Sequence, residues 1–379
     1  MTPERRRDAP LEGGAVGHAW IDGNPVALDA AAAEAARLLR AARLPVIAGL
    51  GTDIAGARAA IALAQQLGGV VDHMHSDALL RDLAVMREAG AIMTTPNEAR
   101  LRADTVLAIG SALQLWPELQ QNLQRPPPAP EIGSDRGERR VFGLCAPRGQ
   151  TAAAGSRAIG RGLDELPALL AGLRARVAGR PVHSAPALRR SLDALAADLQ
   201  AARFGIAVWW SAELDALAIE MLCALVDDLN ARTRFAGLAV APPDNAAGVV
   251  QVCGWTTGFP PRTSFGRGRA EHDPWRHDAR RLIASREADC VLWISAYEAA
   301  APGPTGELPL IALTGADRRP TGARVVIQVG RPGLDHDAVE HVPMTGTLAT
   351  VAARAPRETV SVAQAIARIA SCLPGAPAC

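Results

Sequence analysis

Short runs of about five apolar residues alternate with longer stretches whose apolar positions recur every three or four residues, and this alternation repeats along most of the chain. The clearest instance is residues 45–81, PVIAGLGTDIAGARAAIALAQQLGGVVDHMHSDALLR. Val46 to Leu50 is unbroken and apolar, as a strand covered on both faces requires. Gly49 and Gly51 permit a sharp turn after it, and Thr52 or Asp53 is placed to cap a helix. Ala60, Leu63, Ala64 and Leu67 then form one apolar stripe. Gly68 and Gly69 stop that helix, and Val70-Val71 starts another strand. His73, His75, Ser76 and Asp77 follow at its carboxyl end, where open α/β sheets bind ligands.

The same pattern predicts helices over 28–43, 78–89, 163–177, 187–202, 214–229 and 361–372. It predicts strands over 105–109, 140–144, 206–210, 290–295, 308–313 and 325–329. Residues 124–138 carry three consecutive prolines and read as a surface loop. Residues 240–264 are rich in Gly and Pro, and 266–277 form a charged loop too long for a turn. The expected class is α/β, with parallel Rossmann-like sheets and helices on both faces. The strand, Ser211 cap and helix at 206–229 repeat the layout of 45–67, as two halves of one interrupted sheet would. Residues 1–75 and 204–379 are therefore expected to form one discontinuous domain, with 76–203 as an inserted α/β domain.

Composition narrows the function. The chain has 379 residues, 49% of them hydrophobic, which supports a sizeable core. With 40 basic and 39 acidic residues, its net charge of +1 gives no drive toward nucleic acid or an anionic membrane. No apolar segment follows Arg5, Arg6 and Arg7, and no run is long enough to span a bilayer, so a cytoplasmic location is expected. Lysine is absent, so a lysine-bearing phosphate loop is excluded, and no G-x-S-x-G elbow occurs. Gly49, Gly51 and Gly56 depart from the dinucleotide-binding G-x-G-x-x-G spacing. Cys145, Cys223, Cys253, Cys290, Cys372 and Cys379 include no C-x-x-C pair and read as small buried hydrophobes.

Two clusters carry candidate chemistry. On a strand, His73 and His75 would point the same way and could share a metal ion, with Asp77 as a third ligand. Two imidazoles alone do not complete such a site, and a capping or hydrogen-bonding role is the structural alternative. The second cluster is Glu271-His272-Asp273 with His277-Asp278, which reads as a solvated or subunit-facing loop. Trp275 in its middle suits an interface anchor.

The segment 49–111, from GLGTDIAGARAAIALAQQLGG through DHMHSDALL to VLAIGS, is similar to the B subunit of formylmethanofuran dehydrogenase. NAAGVVQVCGW at 245–255 resembles a stretch that recurs across molybdopterin and tungstopterin oxidoreductases. The likeness runs from about Ala19 to Val329 and is to the version in methylotrophic bacteria, the B subunit of a formyltransferase/hydrolase complex. It implies a molybdopterin-oxidoreductase-like fold. It also implies amidohydrolase-like, formyltransferase and β-helical glutamate-synthase-like partners, which together pass a formyl group from tetrahydromethanopterin to a methanofuran-type carrier and release formate. Redox-active members of the family hold a [4Fe–4S] cluster on early cysteines and supply a cysteine or selenocysteine to the metal near positions 72–80. Here the first cysteine is Cys145 and the second segment reads DHMHSDALL. The expectation is therefore a non-redox structural subunit without iron–sulfur cluster, tungstopterin or molybdopterin, and with no catalytic or cofactor-binding residues. The alternatives are an enzyme in its own right, with a retained pterin or a hydrolytic metal at His73 and His75, or a small-molecule binding protein.

Overall fold

The computed structural model describes residues 19–125, 139–146, 157–297, 308–315, 320 and 322–374. They form two compact units. The first takes residues up to Ser76, Pro242–His341 and Leu348 onward; the second takes Asp77–Ala241 with Val342–Thr347.

The first unit is built on a nine-stranded sheet. Its order is Glu271–His272, Thr263–Ser264, Val70–Val71, Pro45–Gly51, Cys290–Ser295, Leu310–Thr314, Val325–Gln328, Ala19–Ile21 and Asn24–Val26. The five central strands run parallel, and both edges are finished by antiparallel strands. Successive residues alternate between faces. Ile47, Leu292 and Ile311 meet the helices Leu28–Ala41, Ile54–Leu67, Ala246–Thr257 and Val362–Ser371. Val46, Ala48 and Val291 meet the short helix Ala279–Ala284 on the other side. Alanine at Ala31, Ala35, Ala57, Ala60, Ala64 and Ala365 lets the helices on the first face pack closely. The last helix carries a capping box: Gln364 donates its amide to Ser361 Oγ at 3.2 Å, and Ser361 donates its own to Gln364 Oε1 at 2.9 Å. Ser361→Ala is expected to cost about 1 kcal/mol of unfolding free energy, read from urea denaturation.

The second unit is a five-stranded, all-parallel sheet in the order Arg157–Ile159, Arg140–Leu144, Thr105–Ile109, Gly205–Trp209 and Phe235–Ala239. Numbered within the unit this is 3-2-1-4-5, the doubly wound order 3-2-1-4-5-6 less its last strand. Helices Leu166–Val177, Pro186–Gln200 and Ala216–Asn230 cover one face, and Pro96–Arg102 and Pro117–Gln124 the other. The α/β class with parallel sheets and helices on both faces is thus observed. No helix among the described residues is long and apolar enough to cross a membrane.

The expected return to the first domain at residue 204 is corrected. The Gly205–Trp209 strand pairs in parallel with Thr105–Ile109, and Phe235–Ala239 adds beside it, so the inserted unit extends to Ala241. The 45–67 and 206–229 segments are therefore parts of two different sheets, not halves of one. Ser211 does not cap the following helix. Asp215 does, accepting the Ala218 amide at 2.7 Å, while Ser211 is buried and donates to Asp82 Oδ1 at 2.5 Å. Within 240–264 the residues Ala246–Thr257 form a helix that no periodicity announced. Its glycines and β-branched residues lower helix propensity, and burial of Val249, Val252 and Cys253 in the core overrides that. The predicted 124–138 loop lies mostly outside the described residues, as do Arg5, Arg6, Arg7 and Cys379.

Candidate functional site

The carboxyl ends of the Pro45–Gly51, Val70–Val71 and Cys290–Ser295 strands converge on the histidine segment. Gly49 has φ +80°, and Leu50 beside it φ +53°, so the strand turns abruptly. A Cβ on Gly49 would stand 2.5 Å from the Ile294 carbonyl oxygen and 3.0 Å from the Trp293 ring, so only glycine fits. Asp53, not Thr52, caps the helix that follows: its Oδ1 accepts the Gly56 amide at 2.9 Å and the Thr52 hydroxyl at 3.3 Å. The protein's own carboxylate thus occupies the helix N-terminus where a dinucleotide phosphate would sit.

The strand ends at Val71, and His73 to Ser76 form a turn. His73 donates its amide to Ser76 Oγ at 3.1 Å, and Ser76 returns its amide to the His73 carbonyl at 3.0 Å. The same-face geometry expected of a strand therefore does not apply. His75 donates its backbone amide to His73 Nδ1 at 3.0 Å. An amide only donates, so Nδ1 is unprotonated and the proton sits on Nε2, which donates to the Asp244 carbonyl at 3.3 Å. His75 Nε2 meets Asp244 Oδ2 at 3.0 Å. Asp77 is exposed in the first turn of the next helix, so the carboxylate facing His75 is that of Asp244 instead. Both ring nitrogens of His73 are engaged within the protein. Among the described residues no group of three or more His, Cys, Asp or Glu is arranged to hold a metal ion.

Asp244 and Asn245 both adopt left-handed backbone, φ +60° and +55°. Asn245 donates Nδ2 to the Thr52 carbonyl at 2.8 Å and accepts the His341 amide on Oδ1 at 2.9 Å. A Cβ at Gly248 would stand 2.3 Å from that carboxamide, so the Asn245–Gly248 spacing lets one side chain tie three segments together. Tyr297 donates its hydroxyl to Glu340 Oε1 at 2.7 Å; burial, reinforced by that carboxylate, pushes its ionisation far upward. Sequence patterning did not single out Asp244, Tyr297, Glu340 or His341, because their approach depends on loops distant in the chain.

The second cluster is organised by Arg262, buried and at φ +67°. Its guanidinium lies 3.6 Å from Asp72 Oδ2 and 2.5 Å from Asp278 Oδ2, and donates to the Pro274 carbonyl at 2.7 Å. Asp72 Oδ2 also accepts the Ala279 amide at 2.9 Å. Asp278 caps the Ala279–Ala284 helix, and Asp273 accepts the Trp275 and Arg276 amides at 3.0 and 2.8 Å. His272 donates Nδ1 to the Arg262 carbonyl at 3.0 Å, and Glu271 pairs with Arg267 and Arg269. Glu271, His272, Asp273 and Asp278 therefore all serve to hold the segment in shape.

Desolvation pushes the Asp72 carboxyl up from 3.8 to about 6, and pushes His73, helped by neighbouring His75, down from 6.5 to about 4. The two act on stability with opposite signs. Asp72 holds its proton more tightly when folded, so its contribution is fully present below 3.8 and falls by about 3 kcal/mol as pH rises through 6. His73 holds its proton less tightly when folded, so its contribution is fully present above 6.5 and falls by about 3 kcal/mol as pH drops toward 4. Relative to wild type, His73→Gln is expected to gain about 2 kcal/mol between pH 7 and 5, and Asp72→Asn to lose about 1 kcal/mol over the same interval. Urea unfolding at both pH values checks both signs.

The four buried thiols among the described residues are not gathered into one centre. Burial raises Cys145 and Cys223 to about 11 and Cys253 and Cys290 to about 12 in the metal-free chain; Cys372 is exposed. Cys145 and Cys223 belong to the second unit, and Cys253 and Cys290 to the first. Residues 72–80 hold no sulfur except the Met74 thioether, and imidazole and carboxylate are hard replacements for a thiolate. Among the described residues, the donors at 72–80 and the scattered buried thiols do not match an iron–sulfur cluster or a thiolate-bound tungsten or molybdenum.

The strand ends of the first unit are thus closed by the chain's own histidine, aspartate and asparagine side chains, in a discontinuous α/β protein built on largely parallel open sheets. No protein-family model matches it. The chain is 36% identical over 360 residues to the B subunit of the formyltransferase/hydrolase complex, Fhc, of Methylorubrum extorquens, covering 93% of this chain and 96% of that protein. Among solved structures it matches a chain of the FhcABCD complex of the same organism, crystallised with methylofuran. The TM-score is 0.83 at 35% identity, covering 93% of this chain and 97% of that one. The chain belongs to the family of Fhc B subunits.

Proposed function

We propose that this chain is a non-redox, architectural subunit of a formyltransferase/hydrolase complex and carries no cofactor of its own. Its partners on this reading are the amidohydrolase-like, formyltransferase and β-helical glutamate-synthase-like subunits. Together they transfer a formyl group from tetrahydromethanopterin to a methanofuran-type carrier and release formate. The observation that carries the reading is the closure of the 72–80 segment. Where redox relatives present a thiolate, His73 spends both ring nitrogens on protein partners, and Asp72 is tied to Arg262 and the Ala279 amide. A side chain engaged in this way is not presented to a metal.

The test is to assemble the companion subunits with and without this chain, and to measure formate release and complex mass. Loss of assembly without the chain, together with no tungsten, molybdenum, iron or zinc in the isolated chain, is the expected result. Normal assembly and turnover without it would end the architectural reading. Stoichiometric zinc on the isolated chain, lost in His75→Ala, would instead support a hydrolytic site. An iron–sulfur signal or formate oxidation by the chain alone would establish redox chemistry.

A further inference from the structure

We propose that the surface of the first unit around Phe259 and Trp275 is where this chain docks a companion subunit, one whose matching patch is apolar at its centre and rich in carboxylates at its rim. The proposal rests on the architectural reading above and adds the surface and the chemistry of its partner.

The chain has five Phe, seven Trp and one Tyr. Among the described residues, the large aromatic side chains left exposed are Trp255 at 53%, Phe259 at 39% and Trp275 at 69%. All three fall within residues 255–275. Single exposed apolar residues are ordinary, but concentration of all these exposed aromatics in one short segment is a marker of an interface. The ring of Phe259 stacks on His272 at 6.2 Å and 17°, which joins the end of the Ala246–Thr257 helix to the segment bearing Trp275.

The face is also set before any partner arrives. Arg281 lies over the Trp275 ring at 4.5 Å, the Trp275 amide is held by Asp273, and Arg262 grips the Pro274 carbonyl from below. A surface ordered in advance loses little conformational freedom on binding.

Charge selects the partner. Residues 255–287 contain seven arginines, at 262, 267, 269, 276, 280, 281 and 286, against four carboxylates, at 271, 273, 278 and 287. Arg262 is buried and neutralised by Asp72 outside the segment, so the segment holds a surplus of two positive charges in a chain whose total is only +1. Arg267 and Arg269, 71% and 75% exposed, share the single carboxylate of Glu271. A second copy of this chain, docking through the same face about a two-fold axis, would set one positive patch against the other. A carboxylate-rimmed companion removes that conflict.

The test is binding of the purified chain to its companion subunits, with hydrogen exchange on free chain and complex. Phe259→Ser with Trp275→Ser is expected to weaken assembly roughly 30-fold, the effect of losing a central aromatic anchor, with only a small fall in the thermal unfolding midpoint. Arg267→Glu with Arg269→Glu and Arg276→Glu keeps the aromatics and is expected to slow association, most strongly at low salt. Amides 271–277 should gain protection in the complex. Wild-type affinity in both variants, or no added protection at 271–277, overturns this surface while leaving the architectural reading intact. Failure of the wild-type chain itself to bind any companion overturns both.

Discussion

Arg262→Ala is expected to lower the unfolding free energy by about 3–5 kcal/mol, the largest effect of any polar substitution in the first unit. The guanidinium is 10% exposed, and the side chains of Asp72 and Asp278 beside it are 5% and 18% exposed. Alanine removes the cation and leaves both carboxylates in a region of low polarity. It also leaves the Pro274 carbonyl without its donor. The backbone at 262 is left-handed whichever side chain is present, so Arg262→Gly should lose about 1 kcal/mol less than alanine. Lysine does not rescue, because an ammonium cannot span two carboxylates and a carbonyl as a planar fork does. The interaction is isolated by a double-mutant cycle: in an Asp72→Asn background the cost of Arg262→Ala should shrink by about 1 kcal/mol or more, the coupling of a buried pair. Equal costs in both backgrounds, measured by urea denaturation, would show that Arg262 acts through packing alone. Amides at 273–279 should exchange faster in Arg262→Ala, since the segment that presents Trp275 loses its anchor.

The second large effect is expected at Gly49. Gly49→Ala should destabilise by about 3–4 kcal/mol, combining left-handed backbone strain with an overpacked core. The new methyl would sit 2.5 Å from the Ile294 carbonyl and 3.0 Å from the Trp293 ring, and neither is the end of a flexible side chain. Relief requires the Pro45–Gly51 and Cys290–Ser295 strands to separate, which disturbs the Met74 amide bonded to the Gly49 carbonyl at 3.0 Å and the His73 turn beyond it. Gly254→Ala is the matched control. Gly254 lies inside the Ala246–Thr257 helix with nothing within 4 Å of the added carbon, so alanine there should stabilise by about 0.5–1 kcal/mol. Thermal and urea unfolding of the two variants, with opposite signs expected, separate a glycine required by geometry from one that is not.

Most of the central parallel strands were legible because each is a short apolar run bounded by turn residues, and Thr105–Ile109 and Arg140–Leu144 fall at the expected limits; strands such as Asn24–Val26 and Glu271–His272 were not, being too short and too polar to announce themselves. The helix Ala246–Thr257 was not, because propensity argues against it and only core contacts argue for it. Asp77 was a reasonable third neighbour for the histidines by spacing, yet Asp244, 169 positions from His75, is the carboxylate that meets it. Trp275 was readable as an anchor from its type and setting, whereas its union with Phe259 depends on a ring stack between separate segments.

What the sequence determined by itself was the α/β class, the absence of thiols from residues 72–80, and the likeness to a family of B subunits, since apolar period and residue identity are local properties of the chain. What only the tertiary structure decided was which sheet each strand joins, and how His73, Asp72 and Arg262 are occupied. The physical reason is that a parallel strand draws its partners from across a crossover, and a buried charge or imidazole takes whichever donor or acceptor the fold delivers within hydrogen-bonding distance.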